Sequence, residues 1–312
     1  MRGLFIGGCD RSGTTMLGSM LGAGNKIIVT PESQFVWNAI GNISLKPEIS
    51  TAEIFDEISR NWRFKVWATD ISGINVSNIE VEKKYSYCIE EIIKCYSRNH
   101  GVDEPEIWID HAPDNIGHIG FLTELLDDAK FVHIIRDGRG VASSFKNLNW
   151  GPNSIVDSAI WWRSKVALGL AASKMYPEDK VITVKYENIL HNPKEELMKI
   201  CDFSNIEFNE VMLKGGRFNT PEYTKSQHDL VGKGVLSWKS ESWRDVLTER
   251  EIEIFEYKTS ELLSYLEYEL LYGVKAKAPT KIENMKYRLT GIRNVTNYLK
   301  QKCRKYTKLT EQ

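Results

Sequence analysis

The amino-acid sequence predicts an α/β protein in which helices cover both faces of a parallel sheet. Three observations support this fold class. Short apolar and β-branched runs alternate with helical segments along the chain, which is typical of βαβ units. A glycine-rich turn follows the first of these runs and opens the first helix. Polar residues come directly after several runs, as expected for a sheet that binds ligands beyond the carboxyl ends of its strands.

The expected elements follow one another in chain order. Strands are predicted at 4–6, 26–29, 107–109, 130–135 and 180–184. Helices are predicted at 14–21, 51–61, 78–98, 115–127, 140–146, 155–175, 193–203 and 248–269. The chemically distinctive residues that follow the strands are Arg11, Glu32, His111, Arg136 and Tyr186. Because these residue types do not belong in an apolar core, we expect them to contribute to a binding site.

Composition places the chain among globular proteins and excludes two classes. Of its 312 residues, 42% are hydrophobic and 27% are charged, which excludes a wholly disordered chain. A chain of this length can bury a full core without disulfides or metals. The formal net charge is −1, which excludes a uniformly basic nucleic-acid binder and predicts no nucleic-acid partner.

The cysteines predict a reducing environment. There are five, an odd number, and they form no CxxC pair or Cys/His cluster. This pattern predicts reduced thiols and argues against a zinc site. No apolar run reaches the roughly 18 residues of a spanning helix, and the run at 4–8 is too short for a signal-peptide core. We therefore expect a cytoplasmic protein.

Charge is unevenly distributed between the body of the chain and its last residues. Residues 275–312 contain 11 basic and 2 acidic residues, whereas the rest of the chain has a net charge of −10. We predict an α/β domain over 1–274 and a basic amphipathic helical tail over 275–312. The apolar stripe of this helix, at spacings of three and four, comprises Ile282, Met285, Leu289, Ile292, Val295, Leu299, Cys303 and Tyr306. Three roles remain open: docking on its own domain, pairing in a homodimer, or peripheral contact with the inner face of an anionic membrane.

The glycine-rich turn predicts an anion site. Residues 8–15 fit the P-loop spacing G-x-x-x-x-G-K-S/T, except that Thr14 stands where the lysine is expected. Glycines allow successive backbone N–H groups to point inward, next to the amino terminus of a helix. A P-loop NTPase uses the missing lysine on the β/γ-phosphates. Its absence disfavours NTP hydrolysis and leaves Arg11 as the nearest positive charge, so the fold is P-loop-like without the NTPase apparatus.

Five motifs in order resemble those of sulfotransferases that use 3′-phosphoadenosine 5′-phosphosulfate (PAPS), in the branch of tyrosylprotein and carbohydrate sulfotransferases. Residues 7–15 resemble the 5′-phosphosulfate loop, and Pro31-Glu32-Ser33 resembles the segment that carries the catalytic glutamate. The other three matches are 136–144 to the 3′-phosphate segment, 184–188 to a strand that ends in Tyr-Glu, and 233–239 to a late nucleotide-binding loop. The resemblance covers about residues 4–250, most of the chain.

This resemblance implies roles for residues near the sulfuryl group. Glu32 is expected to be the general base for the acceptor hydroxyl. Arg11 and the backbone N–H groups of Ser12, Gly13, Thr14 and Thr15 would bind the 5′-phosphosulfate. His111 stands where this branch often has a lysine, and it could stabilise developing charge, donate a proton or orient the acceptor.

The resemblance also implies a second phosphate site. Arg136 and Ser144 would hold the 3′-phosphate, with Lys233 and Gly234 closing over it. Arg139 is a further candidate, although a surface pair with Asp137 is the alternative. Tyr186 would orient the cofactor through its hydroxyl. The cofactor is expected to be PAPS, with adenosine 3′,5′-bisphosphate as product and no metal.

The acceptor and two other functions remain open at this point. A carbohydrate or glycolipid hydroxyl is favoured by elimination, since the expected location makes tyrosines of secreted proteins poor candidates. The competing functions are a P-loop nucleotide or small-molecule kinase and a non-catalytic nucleotide-binding protein. A kinase should require Mg²⁺ and ATP, whereas a sulfotransferase should bind adenosine 3′,5′-bisphosphate without metal.

Overall fold

The computed structural model describes residues 1–38, 49–74, 84–146, 148, 150–152, 154–215, 240–287 and 289. Its strands are β1 (Arg2–Gly8), β2 (Ile27–Val29), β3 (Ile107–Asp110), β4 (Lys130–Ile135) and β5 (Val181–Lys185). They form one sheet of order β2-β3-β1-β4-β5. Pairing is parallel between β1 and β3, β1 and β4, and β2 and β3. The predicted parallel sheet is confirmed, and β1 is its central strand.

Helices connect these strands and follow the last one. They are α1 (Thr14–Leu21), α2 (Thr51–Arg60), α3 (Trp62–Lys65), α4 (Lys84–Asn99), α5 (Ile119–Leu125), α6 (Gly138–Phe145), α7 (Ile155–Met175), α8 (Tyr186–His191), α9 (Pro193–Ser204), α10 (Trp243–Val246) and α11 (Glu249–Tyr265). Short 3₁₀ turns lie at Pro113–Gly117, Glu210–Leu213 and Gly273–Lys275. None of the helices in these described ranges has the length and apolar character needed to cross a bilayer.

The structure differs from the predicted helices in several places: the short helices α3 and α10 are additional, and α11 ends at Tyr265 instead of 269. The single helix expected at 115–127 is wrong, because Pro113 begins a 3₁₀ turn and α5 starts only at Ile119. Proline fits the first turn of such an element because it has no N–H to leave unbonded. The helix α8 was not predicted, since six residues directly after a strand carry too little periodicity to be recognised.

The described chain divides into two compact units. The first comprises 1–8, 13–134 and 168–235 and carries the sheet. Its β1 residues alternate between two apolar clusters: Phe5 packs against Trp108 and Phe131, with ring centroids 5.1 and 5.4 Å away, whereas Leu4 and Ile6 lie in the other cluster. Burial on both faces explains why the strands read as short continuous apolar runs.

The second unit, comprising 9–12, 135–167 and 236–312, contains a buried arginine. Arg139 is 2% exposed, and its guanidinium lies 2.7 Å from both Asp137 Oδ2 and Glu256 Oε1. Glu256 also accepts hydrogen bonds from the backbone N–H groups of Leu271 and Tyr272. The structure contains the pair of Arg139 with Asp137, but the predicted surface position is wrong, because the pair is buried and extended to Glu256.

Candidate active site

The turn after β1 requires glycine at two positions. Gly13 has φ 97°, and a Cβ atom there would lie 2.6 Å from the ring of Tyr186. Gly8 has φ 156°, and a Cβ atom there would lie 2.3 Å from the carbonyl oxygen of Ile134 on β4. Close packing against Tyr186 and the neighbouring strand thus explains the glycines that the sequence places in this turn.

The amino terminus of α1 has the features of an anion site. Gly13 is its N-cap and supplies no side-chain hydrogen bond, and the first turn contains no acidic residue. Thr14 and Thr15 are both buried. The first N–H groups of a helix have no partner inside the helix, and the helix dipole favours negative charge there. This turn therefore suits a phosphate or sulfate group.

In the second unit, the structure brings together three of the predicted phosphate ligands. Arg11 Nε donates to Ser144 Oγ at 2.9 Å, and Arg136 Nη1 donates to the carbonyl oxygen of Arg11 at 2.8 Å. The buried hydroxyl of Ser12 has no hydrogen-bond partner among the described residues, although a buried hydroxyl normally has one. Two guanidinium groups and two hydroxyls in one cluster fit a ligand that carries more than one anionic group.

Two tryptophans of α7 hold the same cluster. Trp162 Nε1 donates to the carbonyl oxygen of Arg136 at 2.9 Å, and Trp161 Nε1 donates to Asp10 Oδ2 at 3.0 Å. Trp162 is fully buried, whereas Trp161 is half-buried beside the loop. These bonds fix the backbone around the two arginines, and no pattern in the sequence pointed to them.

In the first unit, Glu32 and His111 belong to one polar cluster at the ends of β2 and β3. Glu32 Oε2 accepts a hydrogen bond from Gln34 Nε2 at 2.5 Å and lies 3.6 Å from Arg63 Nη1. Its side chain keeps a quarter of its surface exposed. Burial raises the pKa of the Glu32 carboxyl above its usual range, and Asp110 adds to this. Interactions with His111, Gln34 and Arg63 act in the opposite direction but do not outweigh burial.

The ring of His111 connects this cluster to the first helix. His111 is buried, and its Nδ1 lies 3.4 Å from Thr15 Oγ1. Gly18, one turn further along α1, leaves room for this ring, since a Cβ atom there would lie 3.3 Å from the His111 side chain. The predicted base, the predicted imidazole and one predicted loop threonine are thus neighbours within this unit.

Sequence reasoning did not find Arg63, because nothing in its surroundings marks it as functional. It lies in α3, after a capping Asn61, and its guanidinium lies 4.3 Å above the ring of the half-exposed Trp62. Only the folded chain places it beside Glu32. The predicted residues Lys233 and Gly234 lie outside the described residues, as does the loop at 233–239 that contains them.

Two known proteins that are similar to this chain are protein-tyrosine sulfotransferases. The protein-tyrosine sulfotransferase A of Caenorhabditis elegans is 21% identical over 215 residues, which are 67% of this chain and 51% of that protein. The protein-tyrosine sulfotransferase 1 of Danio rerio is 24% identical over 216 residues, 67% of this chain and 55% of that protein. This chain thus spans about half the length of these two relatives.

Two solved structures have a similar fold. The sulfotransferase domain of the Synechococcus PCC 7002 olefin synthase aligns with a TM-score of 0.59 and 20% identity, over 86% of this chain and 96% of the domain. The sulfotransferase domain of the curacin biosynthetic pathway aligns with a TM-score of 0.60 and 18% identity, over 86% of this chain and 99% of the domain. The sequence of residues 3–210, more than half of the chain, matches the Sulfotransferase family. The chain belongs to the sulfotransferase family.

Proposed function

We propose that this protein transfers a sulfuryl group from PAPS to an acceptor hydroxyl, with Glu32 as the general base. The observation that carries this proposal is the partly buried carboxyl of Glu32, which lies beside His111. Burial raises the pKa of this carboxyl. A base is most effective when its pKa lies near the working pH. A glutamate with an ordinary pKa is a weaker proton acceptor, so the environment of Glu32 suits proton abstraction better than a solvated surface position would.

The donor site is assigned to residues of the loop and of α6. Bound PAPS supplies the sulfuryl group and a bisphosphate leaving group. Arg11, Ser12 and the N–H groups of residues 13–15 bind the 5′ side, where Ser12 has a hydroxyl available and α1 has an uncapped terminus. Arg136 and Ser144 bind the 3′-phosphate; the role that the resemblance implies for Lys233 and Gly234 concerns residues outside the described ranges. Tyr186 supports the loop through its ring, beneath Gly13.

Glu32 and His111 act on the acceptor side. Glu32 accepts the proton of the acceptor hydroxyl as that oxygen becomes nucleophilic. His111 stabilises developing charge or orients the acceptor through a ring N–H. The positive charge of Arg63 opposes the effect of burial on the pKa of Glu32, although burial outweighs it.

A tyrosine side chain is the acceptor class that we propose to test first. Two arguments support it: the names of the similar proteins, and the phenol pKa of about 10, which lies closer to that of a carboxylate than the pKa of a sugar hydroxyl does. The carbohydrate or glycolipid hydroxyl expected from the sequence is the alternative acceptor.

The decisive experiment is a transfer assay with PAPS and panels of tyrosine peptides, glycans and glycolipids, in which mass spectrometry detects the gain of one sulfuryl group. Glu32→Gln should lower turnover by about 10²–10⁴-fold, because the variant keeps its shape but loses the base. Glu106→Gln, which changes an exposed glutamate of the same unit, is the control and should turn over normally. Full activity of Glu32→Gln would contradict the assignment of the base.

A binding experiment separates this function from its competitors. Adenosine 3′,5′-bisphosphate should raise the melting temperature in a concentration-dependent way without Mg²⁺, and AMP should raise it much less, because AMP has no 3′-phosphate. Arg136→Ala should remove this preference for the bisphosphate. Stabilisation by ATP that requires Mg²⁺ would favour the kinase alternative, and bisphosphate binding without transfer to any acceptor would favour the non-catalytic one.

The carboxyl-terminal segment is assigned a role outside the chemistry. Arg250 pairs with Glu283 at 2.9 Å and donates to the carbonyl oxygen of Ala278, so the segment begins on α11 of its own unit. In the same segment, the side chains of Ile282, Met285 and Leu289 are 60–75% exposed. The remaining members of the predicted stripe lie outside the described residues.

We assign this exposed stripe, with its flanking lysines, to an anionic membrane surface, where each basic residue contributes about 1 kcal/mol. The full chain should float with anionic liposomes at low salt, and the double variant Lys281→Glu, Lys286→Glu should float less. A concentration-dependent dimer that ignores liposomes would favour subunit pairing instead. A monomer that ignores liposomes would favour docking of the tail on its own domain.

A further inference from the structure

Asp110, at the end of β3, is a buried carboxylate that the proposed chemistry does not use. It is 0% exposed, and it accepts hydrogen bonds from three donors. Oδ2 accepts from Ser33 N at 2.9 Å, and Oδ1 accepts from Ala112 N at 2.7 Å and from Asn115 Nδ2 at 2.8 Å. A buried charge is costly unless hydrogen bonds match it, and these three bonds match it well.

The positions of these donors are informative. Ser33 directly follows Glu32, and Ala112 directly follows His111. One carboxylate therefore holds the two peptide groups next to the proposed base and the proposed imidazole. Its third donor, Asn115, also donates to the carbonyl oxygen of Ile6 at 3.2 Å, which ties the arrangement to the central strand.

Bonds that do not involve Asp110 also join the two strand ends. The ends of β2 and β3 are already joined by Thr30 N, which donates to the Ile109 carbonyl oxygen at 3.2 Å, and by Trp108 Nε1, which donates to Thr30 Oγ1 at 2.9 Å. Asp110 acts beyond these bonds, on the turn that carries Glu32. We propose that Asp110 is the positioning residue that fixes Glu32 and His111 relative to each other for sulfuryl transfer, an inference that rests on the proposed function.

The charge of Asp110 also predicts a change in the pH dependence of activity, which a purely structural role would not produce. The charged groups that face Glu32 are His111, Arg63 and Asp110, and Asp110 is the one that raises its pKa. Activity should rise with pH as Glu32 loses its proton. Removing the Asp110 charge should lower the pKa of Glu32. The rising part of the pH–activity profile, its acidic limb, should then move to lower pH.

The test compares Asp110→Asn and Asp110→Glu with the wild-type enzyme, using PAPS and an acceptor that the wild type modifies. In Asp110→Asn, the NH₂ group of the amide faces Ser33 N and cannot accept its hydrogen bond. The kcat should therefore fall by about 10²-fold, as expected for a displacement of about 1 Å. The acidic limb should also shift to lower pH. The glutamate keeps the charge but moves it by one methylene, so kcat should fall while the limb stays in place. The melting shift with adenosine 3′,5′-bisphosphate should persist in both variants.

Thr30→Val is the matched control, because it breaks the bond from Trp108 between the same two strands without changing charge. It should lower stability and leave the acidic limb unchanged. Wild-type kcat or an unshifted limb in a folded Asp110→Asn variant would overturn the proposal. If neither Asp110 variant folds, Asp110 is a folding residue and the proposal is also overturned. Failure of the wild-type protein to transfer a sulfuryl group from PAPS to any acceptor of the panel would instead show that the proposed function itself is wrong, whereas full activity of Glu32→Gln would overturn only the assignment of the base.

Discussion

Two glutamates, one in each unit, differ in how completely their charge is matched, that is, compensated by a nearby cation and by N–H donors. Glu256 is fully buried, lies 2.7 Å from Arg139, and accepts backbone N–H bonds from Leu271 and Tyr272 at 2.9 and 2.8 Å. Glu32 accepts a hydrogen bond from Gln34, and the guanidinium of Arg63 lies 3.6 Å away. Glu256 is fully buried and Glu32 is partly buried, but of the two only Glu256 has, among the described residues, a cation within 3 Å and several backbone N–H donors.

This difference separates a structural carboxylate from one suited to proton transfer. The close cation and the N–H donors compensate for burial of the Glu256 carboxylate and fix the backbone of 271–273 to α11. Incomplete matching raises the pKa of Glu32 and leaves part of its side chain accessible to an acceptor. Burial alone is therefore a poor guide to function, and the number and type of partners decide it.

The largest expected effect is on the matched site. Glu256→Gln should lower the free energy of unfolding by about 3–5 kcal/mol, because it leaves the buried Arg139 without one of its two carboxylates. Urea unfolding measures this loss. The half-exposed pair of Lys146 and Glu251, at 2.9 Å in the same unit, is the control, and Lys146→Met should cost less than about 1 kcal/mol. Equal losses in both variants would remove the distinction between matched and surface carboxylates.

The second effect concerns another buried group whose charged form is not matched. Burial lowers the pKa of His133 to about 4, whereas an unfolded histidine titrates near 6.5. The unfolded chain therefore binds an additional proton between these values, so stability should fall as the pH drops from about 6.5 to 4, by about 3 kcal/mol in total. His133→Gln should remove this component of the pH dependence, and the variant of the exposed His100, His100→Gln, should retain it.

The smallest expected effect is the change in protein stability when Glu32 is replaced. Because its pKa is raised in the folded state, ionisation of Glu32 destabilises the fold above that pKa, and the penalty disappears as the pH falls through it. Glu32→Gln should therefore melt slightly higher than the wild type at pH 8 and equally at acidic pH. Glu106→Gln, at an exposed pair with Lys26, should show no such gain. A lower melting temperature for Glu32→Gln at pH 8 would mean that Glu32 is matched after all.

Much of the fold could be predicted from local sequence patterns. All five predicted strands are present, and the predicted bounds of α1 and α7 agree with the structure, because apolar periodicity and flanking glycines are visible within short windows. Arg11, Arg136 and Ser144 were selected from the sequence as phosphate ligands, and the structure places their polar groups within hydrogen-bond distance of one another; their roles stay predictions. The break between the 3₁₀ turn and α5 could not be predicted, because its position depends on how Pro113 packs after the end of β3.

The sequence by itself determined the order of strands and helices, the glycine turn after β1 and the residue types that follow the strands. It did so because these features depend on residues within a few positions of each other. Only the tertiary structure decided which charged groups are matched. Arg139 and Glu256 are 117 residues apart in the chain, and Ser33 and Asp110 are 77 apart. Whether a carboxylate becomes a structural anchor or a proton acceptor depends on partners that only folding brings within hydrogen-bond distance.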